Sequence, residues 1–343
     1  MAEYAKDQPT GFKNVIERVA IVGAGGTIGK HITASLLSSG KHTVIALSRK
    51  GSTNTLPLGV KVATVDYDDD STIISALKTN EIQTLIITLS PTAPQNTHST
   101  LVQAAAKAGV EYIIPNSYGP DINDESFGRD ILLGPVAKSQ RDEIEMLGMK
   151  WVSIVCGFWY EYSLAGGDSR FGFDFENHSL TLYDDGKTRI STSTLDLVGD
   201  AVARLLSLPV SPGDEDAEDK ENLTLARFVN KPVYIQSFCL SQREMFEAVK
   251  RVTGTTNNDW KISYENSKKR YADGLAMVKK GDMAGFSKLL YARAFWADES
   301  ADLSGKVQNG LLGLDMEEDL DETTKLGVEL VEELGMRKGR MAH

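Results

Sequence analysis

The stretch "VAIVGAGGTIGKHITASLLSSG", Val19 to Gly40, constrains this chain most. Four apolar residues run into Gly23, Gly26 and Gly29, with Gly25 among them, and a helical pattern follows. Glycine in a regular element costs roughly 0.5–1 kcal/mol relative to alanine, so spaced glycines mark a backbone that has to stay bare. Between a strand and a helix, the first glycine permits a tight turn. The second lets a pyrophosphate approach, and the third lets helix and strand pack closely. The helix N-terminus then offers unpaired N–H groups and partial positive charge to the phosphates, through the backbone of Gly25, Gly26, Thr27, Ile28 and Gly29. The bland alternative is a structural turn, which rarely needs three spaced glycines.

The first half of the chain repeats this rhythm. Strands are expected at 19–22, 42–47, 60–65, 84–89, 112–115 and 151–155, and helices at 27–39, 71–78, 97–108 and 135–147. Pro135 suits a first helical turn, and Gly109 a helix stop. Nearly continuous apolar strands imply burial on both faces. The fold class expected is α/β: a Rossmann-like doubly wound parallel sheet with ligand at its carboxyl edge, and a smaller C-terminal substrate-binding lobe. Residues 1–16 read as a flexible N-terminus, 17–157 as the dinucleotide domain, and 158–343 mainly as the lobe. Two stretches, about 190–208 and 232–252, are expected to return and pack on the first domain. The second half also shows a hairpin pattern turned at Asp185-Gly186, a capping box at Ser241 and Glu244, and a solvated acidic loop at 211–222.

The formal net charge of −11 disfavours a general nucleic-acid binder. Cys156 and Cys239 are too few for a disulfide framework and read as reduced core residues. No run is long and apolar enough for a membrane span, the N-terminus lacks a signal-peptide core, and the histidines lack metal-ligand spacing. The expectation is a cytoplasmic protein without a metal, acting on a small molecule rather than on nucleic acid or membrane. A homodimer stays open.

Candidate site residues follow from position. The second strand ends "ALSRKG", with Arg49 and Lys50 where an NAD site usually has an acid. An arginine fork matches a 2′-phosphate, so NADPH is the cofactor expected; the alternative is a pair of solvated turn cations. Asp66 either accepts from an adenine amine or starts the next helix. Ser90, after the fourth strand, borders the cofactor or is ordinary loop. Phe158, Trp159, Tyr160 and Tyr162, with Phe171, Phe173 and Phe175, fall just past the sixth strand. They read as an aromatic substrate wall or as a second small core.

Four stretches resemble the isoflavone-reductase-like branch of the NmrA-like family, an atypical group of short-chain dehydrogenases: "GAGGTIGKHI", "AAAKAGVEYIIPNSYGPD", "PVAKSQRDEIEMLGMKWVSIVCGFWYEY" and "NKPVYIQSFCLSQREMFEAVKRVTG". The resemblance implies NADPH-dependent reduction of a phenolic or related secondary metabolite. It maps the family's catalytic lysine, which also touches cofactor, onto Lys138. By pattern alone Lys138 sits in a polar helical stripe, which is the mark of a solvated face. The family's Pro-Ser-Glu-Phe-Gly reads Pro115-Asn116-Ser117-Tyr118-Gly119 here, and Ile122 stands where a Tyr-x-x-x-Lys pair would need its lysine. Tyr118 is a second candidate proton donor, with a packing role as its alternative. Two other functions stay open: a non-catalytic NAD(P)-sensing regulator, and a cofactor-retaining isomerase, dehydratase or cyclase.

Overall fold

The structure is a computed structural model that describes residues 4–341 apart from 91–92, 95, 215–222 and 315–317. Most of the acidic loop expected at 211–222 lies outside the described residues. The first half runs β1 (Arg18–Val22), α1 (Gly29–Ser38), β2 (Thr43–Arg49), β3 (Lys61–Val65), α2 (Asp70–Thr79), β4 (Thr84–Ile87), α3 (Thr97–Ala108), β5 (Tyr112–Ile114), β6 (Tyr118–Gly119), α4 (Glu125–Asp130), α5 (Gly134–Met146) and β7 (Lys150–Val155). The second half adds β8 (Phe158–Trp159), α6 (Tyr160–Leu164), β9 (Phe173–Asp174), β10 (Ser179–Tyr183), β11 (Arg189–Ser193), α7 (Leu195–Leu206), β12 (Lys231–Tyr234), β13 (Phe238–Ser241), α8 (Gln242–Thr253), β14 (Lys261–Glu265), α9 (Ser267–Lys279), α10 (Ala284–Ala294) and α11 (Leu320–Met341).

The central sheet has the order β12-β7-β5-β4-β1-β2-β3, all parallel. The chain winds outward from β1 to β3, then restarts at β4 on the other side. That makes β1 and β4 the topological switch point, where open α/β sheets hold their ligands. The helices cover both faces. Ile32 and Leu36 of α1 pack with Val198 and Val202 of α7 in one core. Ile73 of α2, Leu101 of α3 and Ile144 of α5 pack in the other. Burial of the strands on both sides explains their lack of apolar alternation.

Local signals act where the sequence places them. Gly109 closes α3 in a left-handed conformation, Pro135 sits in the first turn of α5, and Ser241 with Glu244 forms a capping box on α8. The expected hairpin does not form. The turn exists, with Gly186 N–H donating to Tyr183 carbonyl at 2.9 Å, but its flanking strands go to different sheets. β10 pairs with β9 and β14, while β11 pairs with β13 and β8. Asp184 N–H donates to Glu265 carbonyl and Arg243 N–H to Gly186 carbonyl, which anchors the turn to two other elements and splays the strands. The N-terminal residues expected to fray are tied down as well: Ala5 N–H donates to Pro212 carbonyl at 2.8 Å, and Asn14 exchanges side-chain hydrogen bonds with the Ser211 backbone.

A separate core fills the second half. Phe158, Tyr160, Phe171, Phe173, Phe246, Trp260, Tyr291 and Phe295 pack together there, away from the central sheet's own cores.

Candidate active site

The glycine loop follows β1 and forms one wall of a cleft of about 250 Å³. Gly23, Gly25, Gly26, Arg49, Tyr67, Thr88 and Ser90 line it, with Ser52 and Asn54 from the segment after β2. This is the carboxyl edge of the sheet at the switch point.

The glycines do different jobs. Gly23 has φ +81°, and a Cβ there would lie 2.1 Å from the Thr88 carbonyl oxygen. A Cβ on Gly29 would lie 2.0 Å from the Gly23 carbonyl oxygen. Both are therefore bound to packing: Gly23 lets β1 and β4 close up, and Gly29 lets α1 seat on the turn. A Cβ on Gly26 meets only the Gly23 carbonyl oxygen, at 3.1 Å, a tight contact but a single one, and Gly26 lines the cleft. Gly25 has a role that sequence reasoning missed. Its Cβ would lie 2.7 Å from Thr55 carbonyl oxygen, so the 52–56 segment rests directly on the glycine loop. Of the rest of the loop, Thr27 is exposed and Ile28 is buried in the core, so neither side chain faces the cleft.

Arg49 ends β2 with its guanidinium carbon 5.9 Å from the Tyr67 ring centroid. Burial pushes the Tyr67 hydroxyl above its ordinary range, and Arg49 opposes the shift. Lys50 is exposed and does not line the cleft. Asp66 is exposed and turns back on its own loop, accepting from Asp68 N–H at 3.0 Å, so Tyr67 rather than Asp66 reaches the cleft. Asn116 is a second residue that sequence reasoning missed. Its side chain accepts from Leu89 N–H at 3.1 Å and donates to Leu89 carbonyl at 3.3 Å. It thereby pins the loop after β4 to the break between β5 and β6. The departure from the resembled motif at this position was the available signal.

Tyr118 is in the core, its hydroxyl without a partner among the described residues. Burial raises its pKa well above the ordinary value, with Cys156 adding to the shift. Lys138 does not line the cleft. It lies exposed on α5, Nζ 2.6 Å from Asp142 Oδ2, as the (i, i+4) polar stripe would have it.

The aromatic stretch divides. Phe158 and Tyr160 are inside the second core rather than on an open wall, and Tyr160 Oη pairs with Thr324 Oγ1 at 2.8 Å. Trp159 and Tyr162 stay half-exposed, edge to face with centroids 5.5 Å apart. Between them in sequence is Glu161, buried, with Oε1 accepting from Leu195 N–H at 3.3 Å at the start of α7. Desolvation pushes its carboxyl up to about 7 and Asp196 adds to this, while the Glu161 and Leu195 backbone N–H groups and His31 oppose it. No pattern in the sequence marked Glu161, because its burial comes from far along the chain, where α11 packs on α6 and the start of α7 supplies the Leu195 N–H.

Residues 16–163 match the sequence profile of the NmrA-like family. Among curated proteins, "Oxidoreductase aprR" of Aspergillus flavus is 26% identical over 280 residues, spanning 80% of this chain and 85% of that one. "Oxidoreductase BOA1" of Botryotinia fuckeliana is 29% identical over 205 residues, spanning 56% of this chain and 67% of that one. Among solved structures, "AtPrR2 with NADP+ and (+)pinoresinol" superposes with a TM-score of 0.69 at 18% identity, over 92% of this chain and 100% of that one. The leucoanthocyanidin reductase–NADPH complex of Vitis vinifera gives 0.69 at 16% identity, over 91% and 99%. At such identities, the likeness to the solved structures is one of fold. Over residues 16–163, the chain is similar to the NmrA-like family.

Proposed function

We propose that this protein is an NADPH-dependent reductase of a small aromatic or related secondary metabolite. The observation that carries the reading is Arg49, at the end of β2 beside the glycine loop, in a cleft with no carboxylate among its lining residues. A carboxylate there would hold a ribose 2′-hydroxyl; an arginine suits a 2′-phosphate. The relatives named as oxidoreductases, and the similar folds solved with NADP+ or NADPH, support the same reading.

The cleft fits such a cofactor. The backbone around Gly26 would take the pyrophosphate, with Arg49, Ser52 and Asn54 at the adenosine end. The nicotinamide would supply a hydride. Lys138, assigned by resemblance, would carry the proton to the developing oxyanion after parting from Asp142. An exposed pair of this kind contributes only about 0–1 kcal/mol and is readily broken. Trp159 and Tyr162 would present an aromatic wall to the substrate.

The test is a panel of phenolic and enone metabolites incubated with protein and NADPH, with products identified by mass. The reading predicts NADPH consumption and a product heavier by two hydrogens. Lys138→Ala should slow single-turnover reduction about 10²–10⁴-fold with cofactor affinity kept. Lys138→Arg should fail as well, since a guanidinium keeps its proton. Tight cofactor binding with no product from any substrate would favour a silent regulator instead. The exposed, salt-bridged Lys138 is the observation on that side.

A further inference from the structure

We propose that Arg170 makes the substrate site selective for an aromatic acid, its guanidinium receiving the ligand's carboxylate beside the Trp159–Tyr162 wall. The proposal rests on the reductase reading for what that site does.

Arg170 is the one lysine or arginine between Lys150 and Lys187. Its guanidinium carbon is 3.9 Å from the Tyr162 ring centroid, and Nη1 donates to the Tyr162 carbonyl. The side chain occupies the hollow that Gly166 leaves: a Cβ there would come within 2.1–2.4 Å of its Cδ, Nε and Cζ. Tyr183 Oη donates to the Arg170 carbonyl at 2.6 Å, which fixes the backbone beneath. One face of the fork and its stem are thus held in place.

The rest of the fork is unused. Among the described residues no carboxylate is within 4.0 Å of Arg170, although Asp168 is two positions away. Nε and Nη2 make no protein hydrogen bond there. The buried arginines among the described residues do have acids: Arg270 pairs with Glu265, and Arg293 with Asp130 and Asp298. A preorganised guanidinium with two free donors matches a planar carboxylate. In a chain of net charge −11, which repels anions as a whole, a fixed and unpaired cation concentrates attraction at one point. Tyr162 and Trp159 continue from the fork as a half-exposed aromatic row, so the anion that fits carries a ring.

The experiment uses the full chain, with benzoate as probe and benzamide as its neutral near-isostere. Binding is followed by calorimetry and by the Arg170 Nε–H and Trp159 indole N–H resonances. Benzoate should saturate and move both resonances, and benzamide should bind at least tenfold more weakly. Arg170→Gln should weaken benzoate about ten- to hundredfold. Arg170→Lys should not restore it, since an ammonium lacks the fork. Gly166→Ala, which fills the hollow, should act in the same direction without removing the charge. Equal affinity for the two probes, an unmoved Arg170 resonance, or benzoate binding intact in Arg170→Gln would overturn the proposal. NADPH titrations of the same samples keep the two readings apart. Failure of NADPH to bind would strike the reductase reading, while failure of benzoate alone would strike only the anion site.

Discussion

The glycine loop and the aromatic stretch are both conspicuous in the sequence, yet only one of them announces its own structure. In the loop, each glycine's task follows from backbone geometry: a Cβ on Gly23 or Gly29 would overlap a backbone carbonyl, of Thr88 and of Gly23, while one on Gly26 would meet only the Gly23 carbonyl oxygen, at 3.1 Å. In the aromatic stretch, neighbours in sequence go to opposite fates. Phe158 and Tyr160 are in a core, while Trp159 and Tyr162 are half-exposed beside Arg170. The difference teaches that a motif built on backbone constraint can be read locally. One built on side-chain burial is decided by whatever packs on it, here α8, α10 and α11 from the far end of the chain.

The sharpest way to break that comparison is within the loop itself. Gly29→Val would drive a side chain into the Gly23 carbonyl and should abolish folding, read as loss of a cooperative thermal transition. Gly26→Val should fold and lose NADPH affinity, because its Cβ meets a single backbone atom, the Gly23 carbonyl oxygen at 3.1 Å, and the branched side chain would stand where the pyrophosphate approaches. If both variants fold and bind alike, the division of labour among the glycines is wrong. The corresponding change in the lobe is Phe171→Ala, at a fully buried ring. It should cost about 3–5 kcal/mol in denaturant unfolding while leaving NADPH affinity unchanged; a parallel loss of affinity would show that the lobe's core shapes the cleft.

Legibility follows the same line. The parallel sheet, the α3 stop at Gly109 and the α8 capping box at Ser241 were readable because strand apolarity, a left-handed glycine and a reciprocal cap are local properties. The hairpin at Asp185-Gly186 misled, since its turn residues are correct but the strands are claimed by distant partners. In the site, Gly26 and Arg49 could be placed from position in the βαβ unit. Tyr67, Asn116 and the 52–56 segment against Gly25 could not, because no spacing rule specifies which loop side chain turns inward.

Glu161 sharpens the comparison at the junction of the two regions. Its folded carboxyl, pushed up to about 7 by burial, has an unfolded value near 4.3. The protonated form is the one the fold favours. Its contribution is therefore complete below about pH 4, is lost as pH rises through about 7, and is constant above that. Chemical denaturation across this range should show the parent protein losing roughly 3–4 kcal/mol relative to Glu161→Gln, which is neutral throughout and keeps an acceptor for Leu195 N–H. His31 and Asp196, which face the carboxyl from α1 and α7, are present in both proteins. No difference in pH dependence between the two would mean that Glu161 is solvated.

The most direct test of the account is a calorimetric titration with NADPH and with NADH, repeated on Arg49→Ala. A charge-assisted hydrogen bond contributes about 1.5–3 kcal/mol, or roughly 10- to 150-fold in affinity. The account predicts that NADPH binds more tightly than NADH by a factor in this range, and that Arg49→Ala narrows the gap chiefly by weakening NADPH. Equal affinities in the unmodified protein, or an unchanged gap in the variant, would contradict it.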